Sequence, residues 1–418
     1  MAAPPRRVLS RLGVLSERQF RRYFIGQTAS YIGDGLLPVA IAFAVLDLTG
    51  SATDLGLVLA VRMVPLVVFL LVGGVWADRL PRQFVMIASD VVRGATQGIL
   101  AVLLLTGSAE LWHLLVLHAV YGVGEAFWRP ASTALLPSIV SKERLQQANA
   151  LMAVSVNGAY TLGPAVAGIL VSTVGSGAAI AIDAATYGVS TAALLLLRVP
   201  ALERPAEPTT FLADLREGWR EFVSRTWLWV ISAHAALFLL LVMAPMMVLG
   251  PVVADRELGG AAAWGFIAAS IGIGVILGSA LTSRLSLARP LFAGVLLFSI
   301  GCALLAVVLG LPAPTVAIAV VGFFCGMTEG LLEVSWITAL QQRVTQTALA
   351  RVSAYDTVGS FVFMPVGFAL AGPAADAFSI RAVLFFAAGF ALVSGVVVAL
   401  LPSVRGLKRF EEPSYNVP

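Results

Sequence analysis

Stretches of about 20 apolar residues, broken by short polar segments, follow one another from near residue 24 to near residue 401 of this chain. Coiled as a helix, a stretch of that length spans the hydrocarbon core of a bilayer, about 30 Å. Lipid offers no partner for open backbone groups, so helix is the only sensible conformation for such a series. The stretches fall at 24–46, 55–76, 84–105, 112–132, 149–172, 178–198, 227–250, 262–283, 290–309, 314–338, 353–374 and 380–401. They predict an all-α membrane protein of twelve transmembrane helices. Charged residues make up 12% of the chain, against about 25% in a soluble domain. The first stretch is too long for a cleaved signal peptide and lacks a cleavage site, so it is expected to be retained. Cys302 and Cys325 both lie inside spans, which suggests neither a disulfide nor a redox site.

Basic residues set the orientation. Arg6, Arg7, Arg11, Arg18, Arg21 and Arg22 precede the first span. Arg79 and Arg82, Lys142 and Arg144, Arg284 and Arg289, and Arg343 and Arg351 occupy every second short loop. The opposite loops offer Arg256 and Arg381. This bias predicts a multi-pass protein of a cytoplasmic (inner) cell membrane with both termini in the cytoplasm. The net charge of +4 then reflects topology, and no nucleic-acid partner is indicated.

A polar stretch from Val199 to Arg225, containing Pro200, Pro205 and Pro208, separates six spans from six. Within it Phe211, Leu215, Trp219 and Phe222 recur at helical spacing, with Asp214, Arg216, Glu217, Arg220 and Glu221 on other faces. This predicts an amphipathic helix on the cytoplasmic membrane surface that tethers two halves. The expected organisation is an N-terminal six-helix bundle (1–198), a linker (199–225), a C-terminal six-helix bundle (226–402) and a tail (403–418). The halves echo one another. Gly122 precedes Glu125 by three residues and Gly326 precedes Glu329 likewise; Ala134-Leu135 and Ala339-Leu340 follow; Gly163-Pro164 and Met364-Pro365 sit in the fifth and eleventh spans.

Charges near the bilayer centre cost roughly 2.5–3.5 kcal/mol each on the mildest scale and rarely persist without a role. Asp34 lies mid-way along the first span. Glu125 and Arg129, one turn apart in the fourth, share a face and can pair. Glu329 and Glu333 repeat that spacing in the tenth. Two carboxylates one turn apart in a poorly hydrated place resist simultaneous ionisation. A group that gains and loses a proton as its surroundings change is what proton coupling requires. Asp34, Glu125, Arg129, Glu329 and Glu333 are therefore the expected proton-coupling and substrate-cavity residues, with Trp128 and Trp336 as bulk that could wall it. Asp90 and Arg93 are expected to form a structural pair buttressing the loop at Asp78–Arg82. Asp183 and Arg62 are open to a structural or a functional reading. His113, His118 and His234 show no ligand spacing, and neither a metal nor a cofactor is expected.

Between Gly73 and Gln83 the chain reads Gly-Gly-Val-Trp-Ala-Asp-Arg-Leu-Pro-Arg-Gln. This resembles the loop between helices two and three of the major facilitator superfamily. Gly74, Asp78, Arg79 and Arg82 match the family pattern, while Pro81 replaces a Gly and Gln83 an Arg. In the fifth span, Gly158-Ala-Tyr-Thr-Leu-Gly163-Pro164-Ala-Val-Ala-Gly168 resembles the family's antiporter motif. Gly163, Pro164 and Gly168 match; Ala159 and Ala167 stand in for glycines. The Gly-Asp-Gly-Leu-Leu-Pro of the first span and Phe127-Trp128-Arg129-Pro130-Ala131 look like the exporter branch that handles siderophores and macrolides.

The resemblance covers nearly the whole chain. It implies two pseudo-symmetric six-helix bundles with a substrate site near the midplane, alternating access, and a cytoplasmic gate at Asp78, Arg79 and Arg82. The expected function is efflux of drugs or secondary metabolites by proton antiport. The chain would act as a monomer in contact with membrane lipid, on lipophilic substrates that are cationic or neutral. An importing proton symporter and a non-transporting receptor or scaffold are the alternatives. An enzyme is disfavoured, since no nucleophile–base set or nucleotide loop appears outside the spans. Reporter fusions after Glu110 and Gly175 should report the outside, and fusions after Lys142 and Pro208 the cytoplasm. An external reporter at Pro208 would overturn the orientation.

Overall fold

The computed structural model describes residues 13–199, 211–282, 284–285 and 287–407, with side chains for all of these but 70–79, 211–215, 217, 346–347 and 350–351. Its long helices are α1 (Arg18–Thr49), α2 (Ala52–Arg79), α3 (Arg82–Leu105), α4 (Leu111–Ile139), α5 (Leu145–Val174) and α6 (Ser176–Leu195). An amphipathic α7 (Phe211–Ser224) follows. Beyond it come α8 (Thr226–Leu258), α9 (Ala261–Thr282), α10 (Pro290–Gly310), α11 (Thr315–Arg343), α12 (Gln346–Phe361), α13 (Met364–Phe378) and α14 (Ile380–Leu400). Among the described residues, 11 helical stretches are long and apolar enough to cross a membrane.

One expected span stands apart from that set, and another carries a turn within it. The stretch at 112–132 is a helix of 29 residues, long enough to cross, but it stands outside that apolar set. His113, His118, Glu125 and Arg129 lower its apolar content. The stretch at 353–374 belongs to that set as Val352–Phe378, with a turn at Val362 and Phe363 dividing it into α12 and α13. Pro365 sits in the first turn of α13, where its missing N–H is not needed. Within α8, π-helical turns at Leu239–Met243 and Ala254–Leu258 interrupt the α-helical pattern. Residues 200–210 of the expected linker and 408–418 of the expected tail lie outside the described residues.

The chain divides into two compact units. The first holds α1–α6 together with residues 248–269 and 368–373. In it α2 packs on α4, α1 on α5 and α6, and α3 on α4 and α6. The second holds α7, the start of α8, and most of the chain from residue 270 onward. There α10 packs on α11 and α14, and α12 on α7 and α8. On α7, Trp219 and Phe222 lie with ring centroids 5.5 and 6.2 Å from that of Tyr355 on α12. Phe222 is buried in this unit's core.

Hydrophobicity does not draw helices together in lipid, so contact depends on small residues that let backbones approach. Gly122 of α4 lies where an added Cβ would come 2.2 Å from the Arg62 carbonyl oxygen of α2. Gly326 of α11 stands in the same relation to the Ile271 carbonyl of α9, at 2.0 Å. The echoed glycines thus perform one task in both halves. Gly122→Ala and Gly326→Ala should each destabilise the protein by about 1–3 kcal/mol through overpacking. Gly188→Ala, with nothing within 4 Å of its added Cβ, should be neutral or mildly stabilising. Thermal unfolding of the three variants in detergent measures this.

Candidate functional site

In the first unit, α1–α5 enclose a cavity of about 300 Å³, lined by Asp34, Arg62, Arg93, Tyr121, Glu125 and Arg129 among others. Glu125 is its pivot. Arg62 donates from Nε (3.1 Å) and Nη2 (2.9 Å) to Oε2. Arg129 donates from Nε (3.2 Å) and Nη2 (2.6 Å) to Oε1. The buried carboxylate is gripped by two guanidinium forks, each closing on one of its oxygens with charge-assisted hydrogen bonds. The triad carries one net positive charge. Arg129 is 53% exposed and Arg62 24%, so both keep donors free to meet a ligand.

A second network lies beside it. Tyr121 and Tyr187 both donate to Asp34 Oδ1, at 3.0 and 2.5 Å. Arg93 donates to Asp90 Oδ1 at 2.5 Å and lies 3.9 Å from Asp34 Oδ2. Ser190 donates to Asp90 Oδ2 at 2.6 Å, and Gln27 to the Ser190 hydroxyl at 2.9 Å. The Arg93 guanidinium lies 4.8 Å from the Trp128 ring centroid and 4.5 Å from that of Tyr187, which stabilises a desolvated cation further. Tyr121 links the two networks, because the Arg62 guanidinium lies 4.9 Å over its ring.

Local packing explains how these groups meet. An added Cβ on Gly163 would come 2.5 Å from the Gly35 carbonyl, and one on Gly35 2.4 Å from that of Ala159. Backbone contact between α1 and α5 thus seats Asp34 in the cavity wall with Tyr160. Pro164 and Gly168 continue the same close face: an added Cβ on Gly265 would meet the Pro164 carbonyl at 2.4 Å, and one on Gly168 the Ala261 carbonyl at 2.6 Å.

In the second unit, α8, α10, α11 and α12 enclose a cavity of about 460 Å³. Glu329 and Glu333 line it with Trp336, His234 and Asp356. Asp356 accepts from Ser232 Oγ at 2.6 Å and Trp336 Nε1 at 3.0 Å. The π-helical turn of α8 contributes Leu239 and Met243 to the wall; such turns recur at functional sites.

The expected site residues therefore fall into two cavities, with Asp34, Glu125 and Arg129 in one and Glu329 and Glu333 in the other. Arg62, open to either reading from the sequence, joins the first network, and Tyr121, Tyr187 and Asp356 belong to these networks without a signal in the spacing. Their partners are distant in sequence, although an Asp at the start of the eleventh span was a signal to follow. The Asp90–Arg93 pair forms, but it is locked into the buried network of α1, α3 and α6 rather than the polar loop. Arg82 at that loop bonds instead to the Ala134 carbonyl of α4, at 2.8 Å. The side chains of Gly74, Asp78 and Arg79 lie outside the described residues. Asp183 is fully buried, and neither carboxylate oxygen has a hydrogen-bond partner among the described residues.

A family described as transmembrane secretion effector matches residues 9–416. The multidrug efflux pump Tap of Mycolicibacterium fortuitum is 29% identical over 401 residues, covering 91% of this chain and 95% of Tap. The enterobactin exporter EntS of Shigella boydii serotype 18 is 30% identical over 397 residues, covering 94% and 93%. Among solved structures, the nucleoside transporter NupG superposes with a TM-score of 0.72 at 12% identity, covering 91% of this chain and 98% of NupG. That likeness is one of fold.

The two arginines of the triad are not equivalent. Arg62→Gln removes the more buried fork and should destabilise the protein by about 2–3 kcal/mol, whereas Arg129→Gln should lose about 1 kcal/mol or less. Equal losses on thermal unfolding would show that the two arginines hold Glu125 alike.

Proposed function

Because this chain belongs to the transmembrane secretion effector family of major facilitator transporters, we propose that it exports drugs or secondary metabolites in exchange for protons. It is a transporter of small molecules, not an enzyme, and its relatives are efflux pumps. The proposed architecture is twelve membrane-spanning helices in two six-helix bundles. In it α4 also crosses, its Glu125–Arg129 pair lessening the penalty of two charges, and α12 with α13 makes one span. Both termini lie in the cytoplasm of an inner cell membrane, and the monomer works by alternating access. Residues 199–225 join the bundles and 403–418 form a cytoplasmic tail. Gly74, Asp78, Arg79 and Arg82 form the cytoplasmic gate, and Gly163, Pro164 and Gly168 the antiporter-like face.

The observation that carries proton coupling is the contrast between the acids of the two cavities. Glu125 is held by two arginines, so it is poorly suited to trading protons. Glu329 and Glu333 have no hydrogen bond or ion pair among the described residues, and they sit one turn apart in a cavity wall. We therefore assign the larger share of coupling to Glu329, and to Glu125 with Arg129 the shaping of the substrate site together with Asp34.

Inverted membrane vesicles with an acidic lumen should accumulate substrate if the chain is an exporter. An importing symporter would instead be driven by a gradient of the opposite sign in this orientation. Glu329→Gln should abolish gradient-driven accumulation while keeping substrate binding or exchange. Proton release on adding substrate to purified protein gives the decisive reading. Undiminished release from Glu329→Gln would remove Glu329 as the carrier.

A further inference from the structure

A further cavity of the second unit, about 360 Å³, shares no lining residue with the one that holds Glu329. It lies among the end of α9, the start of α10 and the end of α11, with Leu407, beyond α14, in its wall. Leu285, Leu291 and Leu407 give it apolar surface, and Thr338, Gln342 and Arg343 give it polar groups.

The charge around this cavity has one sign. Arg343 lines it, and among the described residues no Asp or Glu does. Arg284 and Arg289 are chain neighbours of the lining residues Leu285 and Pro290, and Arg405 lies two residues before Leu407. The segments 282–291, 334–343 and 400–407 contain these four arginines and no acid. The helix α10 also starts here, at Pro290, and its N-cap residue Arg289 makes no side-chain capping bond. The partial positive charge of a helix N-terminus favours an anion beside it. These features ask for a negative group, and the apolar wall asks for a ligand that is not all charge.

The neighbouring surface says what kind of molecule joins the two. Along α9, Ile273, Leu277 and Leu281 recur at every fourth residue and are exposed. Their stripe ends beside Thr282 and Leu285 of the cavity wall, and Leu285 is itself 40% exposed. Lipid tails are as apolar as Leu, so such a stripe lies comfortably against an acyl chain. Free phosphate would meet the charge and gain nothing from the apolar surface. A phospholipid supplies both parts, and anionic headgroups are drawn to basic segments that flank membrane spans.

We propose that the cavity among the ends of α9, α10 and α11 binds one anionic phospholipid, its headgroup held by Arg343 and the N-terminus of α10 and an acyl chain laid along Leu285, Leu281 and Leu277. The site does not depend on which compound the chain exports. A lipid seated there bears on the packing of α11, the helix that carries Glu329 and Glu333.

Native mass spectrometry of the full-length protein in detergent counts bound lipid directly. Phosphatidylglycerol and phosphatidylcholine with the same acyl chains differ in net charge. The wild type should retain one phosphatidylglycerol, and bind phosphatidylcholine about fivefold more weakly or less. Arg343→Gln should weaken phosphatidylglycerol binding by roughly the same factor. Arg343 also interacts within the protein, so a second variant is needed. Thr338→Glu sets a carboxylate in the cavity wall without removing a cation, and should weaken binding likewise. Arg381→Gln, at the far end of α14 from Leu407, controls for loss of any one cation and should bind as the wild type does. Equal retention of the two lipids overturns the proposal, as does undiminished phosphatidylglycerol binding to both Arg343→Gln and Thr338→Glu. Full displacement of the lipid by glycerol 3-phosphate would also overturn it, by making this a site for a soluble phosphate. Transport plays no part in the reading, so its outcome is separate from that of the vesicle experiment.

Discussion

A carboxylate moved out of water carries a desolvation penalty of several kcal/mol, and only close, well-aligned partners offset it. Glu125 meets that demand with four N–H donors from two arginines. Much of the first unit is arranged around the consequence. Arg62 must be delivered from α2, which requires α2 and α4 to touch, and Gly122 permits that contact at the carbonyl of Arg62 itself. The same guanidinium covers Tyr121, whose hydroxyl helps hold Asp34. One ion triad thereby connects α1, α2 and α4. Removing Glu125 would leave two cations facing each other, so the acid is structural before it is anything else.

Proline and glycine supply the irregularity that such a site needs. Pro38 lies inside α1 and Pro164 inside α5, where neighbouring helices can satisfy the backbone groups a proline frees. The α1–α5 contact at Gly35, Ala159 and Gly163 brings Asp34 beside Tyr160. In the second unit the irregularities are π-helical turns of α8 and the break between α12 and α13. In both units the cavity lies where helical regularity or side-chain bulk has been given up.

The sequence makes the spans legible because the bilayer imposes a single length scale, and most predicted stretches coincide with a helix. Hydropathy averages over a window, so it passes over the turn at Val362 and Phe363, where apolar residues continue through the break. The site was legible to the extent that it is local. Glu125–Arg129 and Glu329–Glu333 follow from helical spacing alone. Arg62 lies 63 residues from Glu125 in the chain, and Tyr187 lies 153 from Asp34, and no periodicity connects them. Asp356 was passed over because its partners, Ser232 and Trp336, come from two other helices.

The echo between the two units sharpens the meaning of these differences. Gly122 and Gly326 hold corresponding helices together in the same manner, and Glu125 and Glu329 follow each by three residues. Equivalent backbones thus present equivalent carboxylates, yet only the first meets arginines. Were both acids needed for packing, the second half would have to supply its own cation, and among the residues lining its cavity there is none. In the proposed function the second acid is therefore the one left free to take up and release a proton, while the first is held by its arginines.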